Sequence, residues 1–523
     1  MRKKLLTTGI VLASFLNMYA GDLVTNTNQN VAFLRNPARD ASTEVDAAYT
    51  NPAGLAFLKK DGFFISLNNQ SAFQTRTVTA NFGANGVTPF AGFGESATKA
   101  FEGKTSAPFV PNLQAAYKTG KWAFSANIGI VGGGGTLDFS KGLPSFESQV
   151  AMLPVMLTSN GIPTDKYSLD SRLKGTQIIY GVQLGATYKI SDNFSAYLGA
   201  RASFVSSKYE GYIHNIMANV GGGGMVNAYQ YFTTAAQQAQ GAAASLQPLI
   251  DGGAGSLTFN QLVAMNMLPQ SQVDLISGGL GVDAGNLTAS QAQGAFTQKA
   301  TLAGGVAEQT GDKDLDCKQS GSGVAPIIGF DYNWNGLNIG VKYEFKTAIN
   351  LKNKTTTNTT GLADYDNNVS TPNDIPAMLS IGAKYDIIKP LTVSVGYHHF
   401  FDSDAKMADG KQQYINGGVS EYLAGLEYRI NKMFLISCGT QITRPSLKEA
   451  YYSDMSFDVN SVSFGCGGAI DITKNIRVNL AYLITSYSNQ TVASSNYYGT
   501  TMPGTNVYGR TNHCFGIGVD FAF

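Results

Sequence analysis

The feature that most constrains this chain is a two-residue alternation that returns in segments of about ten residues. In QIIYGVQLGATYK, Ile178, Tyr180, Val182, Leu184, Ala186 and Tyr188 share one face, while Gln177, Gly181, Gln183, Gly185, Thr187 and Lys189 share the other. PAMLSIGAKYDI sets Ala377, Leu379, Ile381, Ala383 and Tyr385 against Ser380, Gly382, Lys384 and Asp386, and YLAGLEYRI and IRVNLAYLI behave alike. Fourteen such segments are expected, near 62–80, 110–118, 122–131, 177–189, 194–213, 325–332, 337–350, 374–387, 390–407, 419–430, 433–447, 456–472, 476–492 and 510–523. Alternation alone also suits a soluble sandwich. The connections decide between them. KTGKW, ISDNF, NWNGL, IIKPL, INKMF and ITKNI are tight turns, and each alternates with a longer connection. A sandwich has no reason to obey that parity. A transmembrane antiparallel β-barrel with short turns on one side and long loops on the other requires it.

Composition and the first residues agree. Charged residues make up 14% of the 523, against about 25% in ordinary soluble proteins. The 37 basic and 36 acidic side chains nearly cancel, so no nucleic-acid partner is expected. Arg2, Lys3 and Lys4 precede the apolar stretch Leu5–Leu16, which reads as a signal peptide over 1–20 cut after Ala20. No later apolar run reaches the length of about 18 residues that a membrane helix needs. The C-terminal CFGIGVDFAF aligns Phe515, Ile517, Val519, Phe521 and Phe523 on one face and ends on an aromatic. It resembles the signal by which outer-membrane assembly recognises its clients. The expected location is the outer membrane, with the barrel over 62–523.

Residues 21–61 do not alternate and are expected to form a plug inside the barrel, since fourteen strands enclose a lumen wider than wall side chains fill. Ser42 or Thr43 is expected to cap a short helix running through Ala48, with Pro52 stopping it and Gly54 turning the chain into Leu55. Here the stretch DASTEVDAAYTNPAGLAFL resembles the plug motif of the FadL/TodX-type outer-membrane transporters, through Asp40-Ala41-Ser42, Tyr49 and Asn51-Pro52-Ala53-Gly54-Leu55. PFVPNLQAAYKTGKWAFSANIGI is similar to the family's second and third strands. The resemblance covers roughly 36–140 and the terminus.

The resemblance implies passive uptake of hydrophobic molecules such as long-chain fatty acids or hydrocarbons by a monomer in outer-membrane lipid, without catalysis or cofactor. It also implies release sideways where strand three kinks. Gly132, Gly133, Gly134 and Gly135 follow strand three, and glycine lets backbone leave a ladder without a Cβ penalty. An extracellular loop is the plainer reading of the same run.

A long, partly helical extracellular insertion is expected over 214–324, with Ser256 as an N-cap and Leu262, Met265 and Leu268 on one face. Met265 and Met267 would offer an adaptable apolar surface to a ligand. A carboxylate ligand needs a cation in the lumen, and parity turns Arg201, Lys342, Lys346, Lys384 and Arg477 inward. Of these, Arg201, Lys342 and Lys346 lie away from the tight turns and are the candidates for ligand contact. Other signals carry less. Cys438 and Cys466 lie on adjacent strands and are read as free thiols. His398 and His399 point to opposite faces of a strand, so no metal site is expected. The alternative reading is a surface-interaction or secretion-system protein on the same barrel, whose third strand would stay paired. An outer-membrane hydrolase using His398, His399 or His513 is a third.

Overall fold

The computed structural model describes residues 25–523. The leader expected over 1–20 lies outside the described residues. Fourteen antiparallel strands close on themselves: β1 (Gly62–Phe82), β2 (Thr98–Thr119), β3 (Trp122–Phe139), β4 (Tyr167–Lys189), β5 (Phe194–Ala218), β6 (Lys313–Trp334), β7 (Leu337–Glu344, continued by Asn350–Asn358), β8 (Ser370–Pro372 and Met378–Ile388), β9 (Leu391–Phe400), β10 (Ile415–Arg429), β11 (Phe434–Leu447), β12 (Ser461–Asp471), β13 (Ile476–Tyr487, continued by Gln490–Ser494) and β14 (Gly504–Ala522). β1 pairs with β14 from Phe64↔Ala522 to Phe82↔Gly504, so the wall has no free edge there. Every expected strand is present, and the six tight turns all lie at one end. Trp122, Tyr188, Trp334, Tyr385, Tyr428 and Phe523 are exposed toward that end and form an aromatic girdle. No helix among the described residues is long and apolar enough to cross a membrane.

Several strands run well past the expected limits at the other end. β2 begins at Thr98 rather than 110, and β6 begins at Lys313 rather than 325. There the outward residues are mostly polar or charged, such as Thr98, Glu102, Lys104 and Ser106 on β2 and Asp316, Lys318, Ser320 and Ser322 on β6, so the alternation fades although the pairing continues. The insertion between β5 and β6 therefore shortens to 219–312. Its helices Ala228–Ser245, Phe259–Ala264, Gln270–Leu280 and Ala289–Thr310 pack around Leu246, Phe259, Leu262, Val273 and Phe296. The capping residue is Thr258 rather than Ser256, reciprocated by Gln261. Thr288 and Gln291 repeat the arrangement. AGSLTFNQL and AGNLTASQA thus form an internal repeat whose copies bridge at Thr258↔Thr288, with Asn260 N donating to Gly285 O (2.9 Å) and Ser290 N to Gly255 O (3.2 Å). Leu262 and Leu268 are buried but Met265 is exposed, so the three do not share a face.

The N-terminal segment lies in the lumen. It contains two short helices, α1 (Val31–Arg35) and α2 (Ala47–Thr50), followed by a 3-10 turn at Pro52–Phe57. Neither Ser42 nor Thr43 caps a helix: the Ser42 hydroxyl donates to Asp46 Oδ1 (2.6 Å), and Asp46 is clamped by Arg39. Asn51 is extended ahead of Pro52, as a pre-proline residue prefers. Gly54 is required by close packing, since a Cβ there would lie 2.1 Å from Ser42 O. The wall holds this segment through polar contacts. Thr187 and Ser195 donate to the carbonyls of Pro52 and Ala53 at 2.7 Å, and Gln183 donates to Ala48 O at 3.1 Å. Ion pairs do the rest: Arg35–Glu427 at 2.7 Å, Arg477–Glu44 at 2.8 Å, and His398 between Asp40 and Glu421, both at 2.8 Å.

Arg35 is fully buried and also donates to Ser437 at 2.7 Å. Removing Arg35 leaves Glu427 its longer contact with Arg39 (3.7 Å) and leaves a cavity in the segment, at a cost of about 3 kcal/mol. Arg35→Ala is therefore expected to speed amide exchange in residues 31–36 about a hundredfold, read by hydrogen-exchange mass spectrometry. The strands should keep their protection.

Candidate functional site: the wall between β2 and β3

β2 and β3 pair from Thr119↔Trp122 up to Leu113↔Ile128, and again from Ser106↔Thr136 to Lys104↔Asp138. Between these, 107–112 on β2 and 129–135 on β3 have no ladder partners in each other. The glycine run is therefore not an extracellular loop, because it lies within β3. On its other side β3 stays paired to β4, with irregularities between Ile130 and Gly132 and between Gly133 and Gly135. Gly133 (φ 65°) and Gly134 (φ 124°) occupy backbone conformations that favour glycine, and a Cβ on Gly133 would lie 2.1 Å from Gln177 O.

Two unpaired strand margins at membrane depth must satisfy their backbone groups some other way. On β2, Pro108 and Pro111 have no N–H to satisfy. The carbonyl of Pro108 accepts from Ser71 Oγ (2.7 Å), and Val110 N donates to Asn69 Oδ1 (3.0 Å). On β3, the luminal segment supplies the partners. Asn26 N donates to Val131 O (2.9 Å), Asn26 Nδ2 to Gly133 O (2.8 Å) and Gln29 Nε2 to Ile130 O (2.8 Å). Residues 25–29 thus run along the inner face of the break as a substitute strand, and Tyr49 donates its hydroxyl to Asn26 O (3.0 Å) to hold them there.

A cavity of about 300 Å³ lies against this break. Asn26, Gln29, Gln70 and Asn112 make one end of it polar, whereas Leu137, Phe139, Leu173 and Met455 line another part. Arg76 of β1 and Arg510 of β14 also reach it. Arg510 lies 3.4 Å from Asp458, and the Arg76 guanidinium sits over the Phe457 ring at 5.5 Å. Phe139 belongs to an extracellular apolar core shared with α3 (Pro144–Ser159), which places that helix above the cavity. Within that core Glu147 is buried, paired to Lys99 at 2.9 Å and accepting from the Tyr167 hydroxyl at 2.9 Å. Burial pushes its carboxyl above the ordinary range, against the pull of Lys99.

None of the five residues expected to touch a ligand lines this cavity. Arg201 and Lys342 both pair with Glu344, at 2.5 and 2.7 Å, and Lys342 donates to Tyr49 O at 2.9 Å. They fasten the luminal segment. Lys346 lies 3.5 Å from Asp374 and donates to Asp404 O. Met265 and Met267 are exposed on the helical insertion. Parity turned Arg201 and Lys342 inward, and the spacing of Lys342 and Glu344 on one strand already allowed their pairing; Lys346 pairs with Asp374 instead, and Arg201 joins Glu344 from β5. Of Asn51–Leu55, Asn51 Nδ2 donates to Phe330 O (3.0 Å), so this motif secures the segment to β6. Sequence reasoning missed Asn26 and Gln29, for which there was no local signal. It also missed Arg76 and Arg510, which lie where the alternation fades. Cys438 and Cys466 stand directly opposite each other as free thiols.

The closed barrel, its lipid-facing girdle and its filled lumen define an outer-membrane β-barrel with the FadL-type fold. Among solved structures the chain is similar to a FadL homologue of Pseudomonas aeruginosa, at 12% identity over 96% of this chain and 100% of that one, with a TM-score of 0.56. It is also similar to the toluene transporters TodX of Pseudomonas putida (14% identity, 97% and 100% covered, TM-score 0.49) and TbuX of Ralstonia pickettii (14% identity, 95% and 99% covered, TM-score 0.47). No protein-family model matches the sequence, and no curated protein matches it.

The side chains of Asn26 and Gln29 supply two of the bonds that replace the missing ladder. Each is worth about 1 kcal/mol. Asn26→Ala combined with Gln29→Ala is expected to raise cysteine-reagent access to a probe at Thr25 about tenfold or more. Unchanged access would mean that these bonds do not hold the segment.

Proposed function

We propose that this barrel takes up hydrophobic and amphiphilic small molecules from outside the cell and releases them sideways into the membrane between β2 and β3. The observation that carries the proposal is the lapse in pairing between 107–112 and 129–135, with a cavity directly behind it. A solute moving straight down the lumen would meet the ion pairs and amides that bind the plug. A solute moving sideways meets lipid, which favours each Å² of apolar surface by about 25 cal/mol over water. The lateral path is downhill for a hydrocarbon chain, whereas the axial path is not. Residues 25–29 cross the inner side of this opening and must shift for a bulky ligand to pass. The FadL-type fold and the plug motif at Asn51–Leu55 support the same reading. A barrel that served only as a protein-binding platform would have no use for an unpaired third strand.

The cavity suits a fatty-acid-like ligand, with its chain along Leu137, Phe139 and Leu173 and its carboxylate at Arg510 and Arg76. The head group would compete with Asp458 for Arg510. A hydrogen bond to a charged group is worth about 1.5–3 kcal/mol, so Arg510→Ala should weaken binding of a long-chain carboxylate about ten- to a hundredfold. Binding of a neutral hydrocarbon should be unchanged. Equal loss for both, measured by calorimetry on the detergent-solubilised barrel, would count against the head-group assignment.

Replacing Gly132–Gly135 with Thr-Val-Thr-Val should favour a continuous β2–β3 ladder. Uptake of a radiolabelled ligand should then fall to the level of cells lacking the protein, while the barrel still shows its heat-dependent gel shift. Uptake at the original rate by a folded variant would refute lateral release.

A further inference from the structure

Above the apolar band, the outer face of β4–β7 carries lysines in direct cross-strand register. Lys208 of β5 stands opposite Lys318 of β6, which stands opposite Lys354 of β7. Lys352 lies two residues from Lys354, opposite Ser320, and Lys174 lies on β4 opposite Glu210. These side chains point outward, because the residues that alternate with them are buried on the luminal side: Tyr209, Cys317, Leu351 and Asn353. The patch is the lateral surface of the barrel, distinct from the cavity and the luminal segment.

Like charges directly opposite each other destabilise a sheet. The protein's own carboxylates relieve little of this. Lys208 bonds Glu210, and Asp316 stands beside Glu210, but Lys318, Lys352 and Lys354 make no ion pair or side-chain hydrogen bond among the described residues. Their height on the wall is informative. On β5 the last large apolar residue of the outer face is Phe204, which is exposed, and Lys208 follows four residues later with Ser206 between. At the rise and tilt of a membrane strand, that is roughly 10 Å further along the membrane normal. On β6 the order is the same, from exposed Val324 through Ser322 and Ser320 to Lys318. Hydroxyls at the edge of the hydrocarbon followed by ammonium groups match an interface where acyl chains give way to anionic head groups. On β1, by contrast, the outward residues above Phe73 are Thr75, Thr77 and Thr79, and β2 offers a single outward lysine, Lys104, beside the exposed Glu102.

We infer that this lysine face is a binding site for the phosphorylated head group of outer-leaflet lipopolysaccharide. The lysines lie on the loop side of the barrel, which turns to the outer leaflet. The row from Lys208 to Lys354 crosses two strand spacings, roughly 10 Å, which is the scale of a disaccharide bearing a phosphate at each end. Its acyl chains would then lie along Phe204, Val324 and Tyr180 below.

The test uses the full barrel, delipidated in mild detergent and titrated with purified lipopolysaccharide while native mass spectrometry follows the bound lipid. Lys208→Gln, Lys318→Gln and Lys354→Gln together should weaken retention about a hundredfold. Enzymatic removal of the lipid phosphates should weaken binding to the original protein similarly, and phosphatidylglycerol should not substitute. The triple variant should keep its heat-dependent gel shift and its affinity for hydrophobic ligands. Equal retention by a folded triple variant would overturn the inference. So would equal retention of dephosphorylated lipid or of phosphatidylglycerol.

Discussion

The structure depends on one constraint: at membrane depth, every backbone N–H and C=O must have a partner, because lipid offers none. Closing β1 onto β14 meets it around nearly the whole circumference. The stretch between β2 and β3 is where the ladder lapses, and its chemistry follows from the exception. Prolines delete donors on one margin, and side chains of β1 serve the Pro108 carbonyl and the Val110 N–H of β2. On the β3 margin the amides of Asn26 and Gln29 act as a strand in miniature. An opening of this kind is stable only with such replacements. The luminal segment and the lapse in the wall are therefore coupled, because residues 25–29, which supply the substitute bonds, belong to the segment that fills the lumen.

That segment is held by charge as much as by packing. Arg35, Arg477, His398, Arg201 and Lys342 each reach either the segment's own carboxylates and carbonyls or the wall acids around it. A buried ion pair of this type gives limited net stability but penalises any other placement of its members. It suits a luminal segment held in one place.

Much of the fold was legible in the sequence because lipid imposes a strict rule, apolar outward and polar or small inward, that repeats fourteen times. Where the wall leaves the lipid, the rule lapses: β2 and β6 each extend about twelve residues beyond their visible alternation. The site was less legible. The glycines at 132–135 were conspicuous, but a strand break and a loop give the same composition, and only the register with 107–112 separates them. Arg201 and Lys342 were found at the right orientation; the pairing of Lys342 with Glu344, two residues along the same strand, was readable from the sequence, whereas the approach of Arg201 from β5 and of Tyr49 from the luminal segment needs the folded barrel. The AGSLTFNQL and AGNLTASQA repeat was readable from spacing and capping residues alone. Gly- and Ala-rich composition masked it.

The most direct test of lateral release is where a ligand touches the wall. A long-chain carboxylic acid bearing a photoreactive group near its methyl end should be applied to the barrel in lipid nanodiscs and cross-linked, and its adducts mapped by mass spectrometry. The account predicts adducts on 107–112 and 129–135, including outward-facing Phe109, and fewer when Gly132–Gly135 are replaced. Adducts confined to the extracellular helices, or running down the lumen past Asn51 to the tight turns, would contradict it.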